Sequence, residues 1–288
     1  MGEGTVRRHD QQITVRDGQH VVARVFDWQP TNAQLRKRNH TALPPVLVIP
    51  DPSRTMDAVT PMIEALLTAS DRPATAVTFD GVGRGGASSG SREMSEAADD
   101  LIDVCDALGL HHIAVVALGG GVRTLLASGP KRPTLTSRIA LIDGGPTLDS
   151  VGIARAAALR KKAVAPKDWT QATEVARAIA PGQFPALSET DWLAIARSIW
   201  RDERGKLLPM VPPTEVDESA LWQELAIFKR VPALLLRGET SPLITTELAT
   251  SISKRHGRML LGPVAGQGHV PYLRTAEDVA PLVDFLAV

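Results

Sequence analysis

Four short apolar runs, PVLVIP (45–50), TAVTF (75–79), HIAVVAL (112–118) and RIALID (138–143), alternate with stretches of helical periodicity. None of the four alternates polar with apolar residues as a sheet with one wet face would, so each reads as a strand covered on both sides. Between them Met62, Ile63, Leu66 and Leu67 form one helical stripe, and Leu101, Val104, Cys105 and Leu108 another. Such alternation implies a mostly parallel sheet with right-handed crossovers and helices on both faces, an α/β class of fold. Ahead of it, ITVRD (13–17) and QHVVARVF (19–26) flank Asp17-Gly18 and read as an antiparallel strand pair.

The rhythm breaks between about 147 and 225. Strand runs vanish there and helical stretches take over, such as TDWLAIARSIW (190–200), with Trp192, Ile195, Ala196 and Ile199 on one face. Trp169, Trp192, Trp200 and Trp222 all fall in this region, which points to a packed unit with aromatics in its core and some facing a cleft. Strands and helices resume with VPALLLRG (231–238), GRMLLG (257–262) and a closing helix from Thr275, whose buried face is Val279, Leu282, Val283 and Leu286. Thr275 and Asp278 stand at capping positions for that helix. The chain therefore divides into a first core part (1–146), a helical cap inserted at 147–225, and a second core part (226–288). QPTNAQLRKRNHTALPP (29–45) reads as a solvated loop.

Charge and composition narrow the function classes. Lysine plus arginine equals aspartate plus glutamate, at 32 each, so no net field draws the chain to nucleic acid or a membrane surface. The opening MGEGTVRRHDQQ lacks the apolar core of a signal peptide, Val6 breaks the myristoylation pattern, and no apolar run approaches the ~20 residues of a membrane span. The single Cys105 excludes an internal disulfide, and its apolar neighbours make it a core residue. A cytoplasmic protein is expected. GVGRGG (81–86) has dinucleotide-type spacing but is followed by ASSGS rather than a helix, so it reads as a loop. His111-His112 has no ligand partners at metal spacing, and neither a metal nor a cofactor is expected.

The stretch VVALGGGVRTLLA (115–127) reads as a strand, a tight glycine turn and the start of a helix, with Gly119 at the tip. Its outward N–H groups and the nearby Arg123 form an anion-holding geometry, although Arg123 is read first as a solvated first-turn residue. With IPDPSR after the first parallel strand, FDGVGRGGAS after the next, LIDGGP, LLRGETSPL and GQGHVPYL, it resembles the α/β-hydrolase superfamily, in particular bacterial esterase-like members with a helical cap. The resemblance covers roughly residues 12–288.

The resemblance implies a serine at the elbow, then an acid, then a histidine, and two of these three are missing. The serine position falls on Gly119, the acid position on Pro242, and the histidine position on His269. Of the two oxyanion N–H groups, Gly120 keeps its own, whereas the other position falls on Pro52, which has none, with Asp51 beside it. Losing one such donor costs about 3–4 kcal/mol of transition-state stabilisation. His269 is then either a general base held by Asp143, Asp51 or Glu239, or a remnant packed near Tyr272. Asp143 is attractive because some hydrolases of this fold draw their acid from that strand end.

A catalytically degenerate hydrolase fold binding a small apolar or carbonyl-bearing ligand through Gly120, Trp192 and Tyr272 is the first expectation. The alternative is an enzyme of altered mechanism (lyase, cyclase, isomerase, cofactor-free oxygenase or water-activating hydrolase) using His269 as base. A protein-interaction role with a closed cleft is the third. Serine esterase activity is rejected, and Gly119→Ser alone is not expected to restore it while Pro242 and Pro52 remain.

Overall fold

The apolar runs become the middle of one eight-stranded sheet in the computed structural model, which describes residues 4–29, 42–70, 72–161, 163–211 and 219–287. Most of the expected loop at 29–45 lies outside the described residues. Strands β1 (Thr5–Thr14) and β2 (His20–Gln29) form the antiparallel pair, joined where Gly18 adopts φ +82°. β2 pairs antiparallel with β4 (Ala74–Asp80), next to β3 (Val46–Ile49). From β4 through β3, β5 (Ile113–Leu118) and β6 (Thr136–Ile142) to the far edge, every pairing is parallel. A separate hairpin of β7 (Trp200–Glu203) and β8 (Lys206–Pro209) precedes the last two sheet strands, β9 (Ala233–Gly238) and β10 (Met259–Val264). The spatial order is β1-β2-β4-β3-β5-β6-β9-β10.

Neighbouring residues on one strand feed opposite layers, as the two-residue period requires. Leu47, Val115 and Leu235 pack with Leu101, Cys105 and Leu125 from α2 (Met94–Ala107) and α3 (Gly121–Ser128). Val48, Val116 and Leu236 pack on the other face with Met62 and Ile63 of α1 (Thr60–Ala69). Truncating one such buried leucine to alanine costs about 2–5 kcal/mol, so this double layer fixes where the strand ends lie. Burial pushes the Cys105 thiol up to about 12, which keeps it an inert core residue.

Between β6 and β9 the chain forms α4 (Ser150–Lys161), α5 (Trp169–Ile179), α6 (Glu189–Arg197), the hairpin, and α7 (Trp222–Ile227). The hairpin corrects the expectation that no strands occur here. Ser198 ends α6 by donating its hydroxyl to the Ile195 carbonyl, and Trp200 starts β7 instead of continuing the helix. Arg204 and Gly205 then take φ of +56° and +80°, the two-residue turn that matches strand twist. Ala172, Trp192, Ile195 and Trp200 form a small core of their own, joined by Tyr272, while Leu225 of α7 packs into the main one with Trp222 against it. The chain closes with α8 (Thr246–His256) and α9 (Ala276–Ala287), the latter capped by reciprocal hydrogen bonds between Thr275 and Asp278. Among the described residues no helix is long and apolar enough to cross a membrane.

Candidate active site

The ends of β3, β5, β6 and β9 converge at one edge of the sheet, the usual place for a ligand in an open parallel sheet. There β5 turns into α3 through Gly119, whose φ of +51° lies in the left-handed region and whose N–H donates to the Ile142 carbonyl at 2.8 Å. A Cβ built on Gly119 would stand 2.1 Å from Oδ2 of Asp51 and 2.7 Å from Cγ2 of Val270. The space a serine side chain would need is therefore filled by a carboxylate from another loop.

Asp51 is held from both ends. Its Oδ2 accepts the Gly120 N–H at 2.8 Å, and its Oδ1 accepts the N–H and hydroxyl of Ser53 at 2.9 and 2.5 Å. Burial pushes its carboxyl up, but the His269 ring and the hydrogen bonds from Ser53 and Gly120 more than offset this and hold it below the usual carboxylate range. The Gly120 N–H expected to receive ligand is thus already taken. Pro52, with no N–H to give, lies over it: a Cβ on Gly120 would be 2.7 Å from the proline ring.

Across the site, Nδ1 of His269 lies 3.0 Å from Oδ2 of Asp143. Asp143 follows β6 with φ +51°, a conformation costing a non-glycine residue about 1–3 kcal/mol unless its surroundings impose it. They do so here: its N–H donates to the Leu236 carbonyl at 2.7 Å, and its Oδ1 accepts the Gly238 N–H at 3.1 Å. Asp143 is fully buried and His269 is 9% exposed. The His269 N–H donates to the Pro181 carbonyl at 2.8 Å, which ties its segment to the insertion.

Of the three carboxylates considered for His269, Asp143 bonds it, and Asp51 lies where a proton on the ring would lower its carboxyl. Glu239 does neither: it is exposed, and its Oε2 accepts the Gly266 N–H at 2.8 Å. Pro242 supports the insertion instead, its carbonyl against Gly152 of α4, where an added Cβ would come within 2.0 Å. Trp192 packs edge-on against Phe184 with ring centroids 5.2 Å apart. It lines a groove of about 390 Å³ with Arg177, Phe184 and Leu187, and neither His269 nor Asp51 borders that groove. Tyr272 is buried in the insertion's cluster, its N–H donating to Oε1 of Gln267 at 2.6 Å.

Arg123 also departs from its sequence reading. It is buried, and donates to the Ser219 carbonyl and hydroxyl at 2.8 and 2.9 Å, bracing α3 rather than meeting solvent. Sequence reasoning missed three further residues beside Asp51: Ser53, Arg54 and Arg84. Their signal was position, since all lie on loops that follow β3 and β4 at this end of the sheet. Among the described residues no cluster of histidine, cysteine and carboxylate groups is arranged to hold a metal.

A mostly parallel sheet, a glycine elbow between β5 and α3, a histidine on the last loop, and a helical insertion above them define the α/β-hydrolase fold. No family model and no curated protein sequence matches the chain. Among solved structures it is similar over 100% of its length to 99% of an α/β hydrolase from Novosphingobium aromaticivorans, with a TM-score of 0.81 and 20% identity. It is similar over 98% of its length to all of E-2-(acetamidomethylene)succinate hydrolase, with a TM-score of 0.75 and 16% identity. A thioesterase domain from the curacin biosynthetic pathway, matched whole over 98% of this chain, gives a TM-score of 0.66 at 17% identity. The chain has the α/β-hydrolase fold.

Proposed function

We propose that the chain is an enzyme of altered mechanism on the α/β-hydrolase fold, with His269 as general base, and not a serine hydrolase. The observation that carries this reading is the buried 3.0 Å hydrogen bond between His269 and Asp143. An ionised Asp143 can only accept, so Nδ1 carries the proton and Nε2 is left with its lone pair, ready to take a proton from water or from a substrate carbon. Acyl transfer lacks every other part. The elbow has no hydroxyl, the Gly120 N–H is bound to Asp51, and Pro52 offers no second donor. Base-catalysed proton abstraction or water activation needs neither an acyl-enzyme nor that oxyanion site.

A second reading is favoured by one observation: Asp51 is anchored by three hydrogen bonds across the elbow. Under it, the carboxylate is a permanent plug, and the protein is a degenerate hydrolase that binds a small apolar or carbonyl-bearing molecule unchanged. Incubating the protein with a metabolite extract and following bound and converted species by mass spectrometry separates the two. Conversion that is lost in His269→Ala and strongly reduced in Asp143→Asn is the expected result. A ligand retained unchanged by wild type and both variants would overturn the proposal in favour of the second reading.

A further inference from the structure

Two backbone hydrogen bonds tie the core to the base of the β7–β8 hairpin. Thr55 donates its N–H to the Ser198 carbonyl at 2.9 Å, and Gly85 of the GVGRGG loop donates its N–H to the Met210 carbonyl at 2.9 Å. The Met210 N–H in turn donates to the Ile199 carbonyl at 2.7 Å, so both tethers end on the closed base of the hairpin. Asp80, the last residue of β4, stands between them. Its Oδ1 accepts the N–H of Met56, the residue after Thr55, at 2.7 Å. Its Oδ2 lies against Gly85, where an added Cβ would come within 2.0 Å. Gly85 has φ +53°, and only glycine lets the loop press on the carboxyl so closely.

The Asp80 carboxyl is buried, and the Met56 N–H is its one hydrogen-bond donor among the described residues. The charged groups that face it are Asp57 from the short turn at Met56–Ala58, Arg84 from the loop and Arg24 from β2. Arg24 is already paired with Asp10 and Asp57, and Arg84 donates its Nε to the Pro52 carbonyl at 3.0 Å. Burial outweighs both arginines and raises the Asp80 carboxyl to about 7.

The closed junction therefore suits a neutral acid, and an ionised Asp80 favours an arrangement in which water reaches Oδ2. The two contacts of the carboxyl respond differently. The one with Met56 strengthens on ionisation, because a carboxylate is the better acceptor. The one with Gly85 offers the charge nothing, since the Gly85 N–H points to Met210. Relief comes from moving Gly85 away, and that breaks its tether to the hairpin.

We propose that Asp80 is a proton-operated latch between the sheet and the inserted region: neutral, it lets Gly85 close on it and hold Met210; ionised, it releases Gly85 and with it that corner of the hairpin. The latch is independent of the chemistry at His269. The closed state has its carboxyl raised from 3.8 to about 7, so opening releases a proton between those values; it becomes about tenfold more favourable per pH unit from 4 to 7 and levels off above.

Amide hydrogen exchange followed by NMR, with each rate divided by the intrinsic rate at that pH, tests the latch in wild type, Asp80→Asn and Gly85→Ala. In wild type the protection of the Gly85 amide should fall about 100-fold from pH 5 to pH 7 and change little from pH 7 to pH 8. Its exchange should be insensitive to low urea, as a local opening is, while the β5 amides of Val115 and Val116 stay far better protected and respond to urea. Asp80→Asn, which keeps an acceptor for Met56 and does not titrate, should hold Gly85 protected throughout. Gly85→Ala, whose methyl does not fit against Oδ2, should leave the amide of residue 85 poorly protected already at pH 5. A wild-type Gly85 amide indifferent to pH, the same fall in Asp80→Asn, or full protection of residue 85 in Gly85→Ala overturns the latch. So does a Gly85 amide that matches Val115 and Val116 in protection and urea response, since Asp80 would then act on global stability alone.

Discussion

Gly119→Ser and Asp51 compete for one volume, and the competition has a calculable cost. The serine Cβ would stand 2.1 Å from Oδ2 of Asp51, so the carboxylate must leave the Gly120 N–H that it accepts at 2.8 Å. Losing a hydrogen bond to a charged group costs about 1.5–3 kcal/mol. Holding a non-glycine residue at φ +51° adds about 1–3 kcal/mol. The single variant should therefore lose about 2.5–6 kcal/mol of stability in urea unfolding. In an Asp51→Gly background only the backbone part remains, and a double-mutant cycle should return a coupling of about 1.5–3 kcal/mol.

The same cycle predicts activity. On the proposed reading Asp143, bonded to His269, serves as the acid in place of Pro242, and what would block ester chemistry in Gly119→Ser is Asp51 on the Gly120 N–H. The single variant should stay inactive on p-nitrophenyl acetate. Gly119→Ser with Asp51→Gly, which frees the Gly120 N–H, should gain slow His269-dependent turnover, detectable as a burst of nitrophenol. Additive stabilities together with an active single variant would refute the claim that Asp51 occupies the serine's place.

Other outcomes follow from individual groups. Asp143→Asn must keep its carbonyl oxygen on the Gly238 N–H and turn its amide toward Nδ1, which shifts the histidine proton to Nε2; any His269-dependent rate should fall about 10²–10⁴-fold with little change in KM. Burial raises the Asp80 carboxyl to about 7 from 3.8, so the folded state binds more protons than the unfolded between those values, and wild type loses up to about 4 kcal/mol as pH rises from 4 to 7. Asp80→Asn, which keeps an acceptor for Met56, should accordingly gain in Tm relative to wild type between pH 5 and pH 8; a constant difference would show that Asp80 does not titrate there. Arg123→Ala removes both hydrogen bonds to Ser219 and should cost about 2–3 kcal/mol in urea unfolding, against a near-zero effect if the side chain were solvated.

The sheet was readable because its signal is local. Runs such as HIAVVAL carry their burial in their own composition, and Leu47 and Val48 divide between the two layers by the two-residue period alone. The hairpin at Trp200–Pro209 was not, because RDERGK looks like a solvated stretch and its turn depends on Arg204 accepting a left-handed conformation. Arg123 misled for a similar reason: its partner Ser219 is 96 residues away in sequence, and no periodicity reports such a pairing. The three carboxylates considered for His269 were legible as candidates, since all sit on loops at one end of the sheet. Only side-chain direction separates Asp143, turned inward by Leu236 and Gly238, from Glu239, turned away onto Gly266.

In the sequence Gly119 reads as the absence of the fold's usual serine, but its meaning depends on Asp51, 68 positions earlier. A glycine at the elbow relieves strain by itself, and on that ground it looks like decay of an unused turn. Once an ionised carboxylate fills the vacated space, decay explains less. Burying a charge at that point is costly, and random drift gives no reason for Ser53, Gly120 and the His269 ring to converge on it. A hydroxyl at position 119 and Asp51 cannot share that space, so on the proposed reading a fixed negative charge stands beside His269 where other members of the fold place a neutral hydroxyl. A carboxylate there favours a cation or a transferred proton over a developing oxyanion. On that reading His269, Asp143 and Asp51 form one working centre.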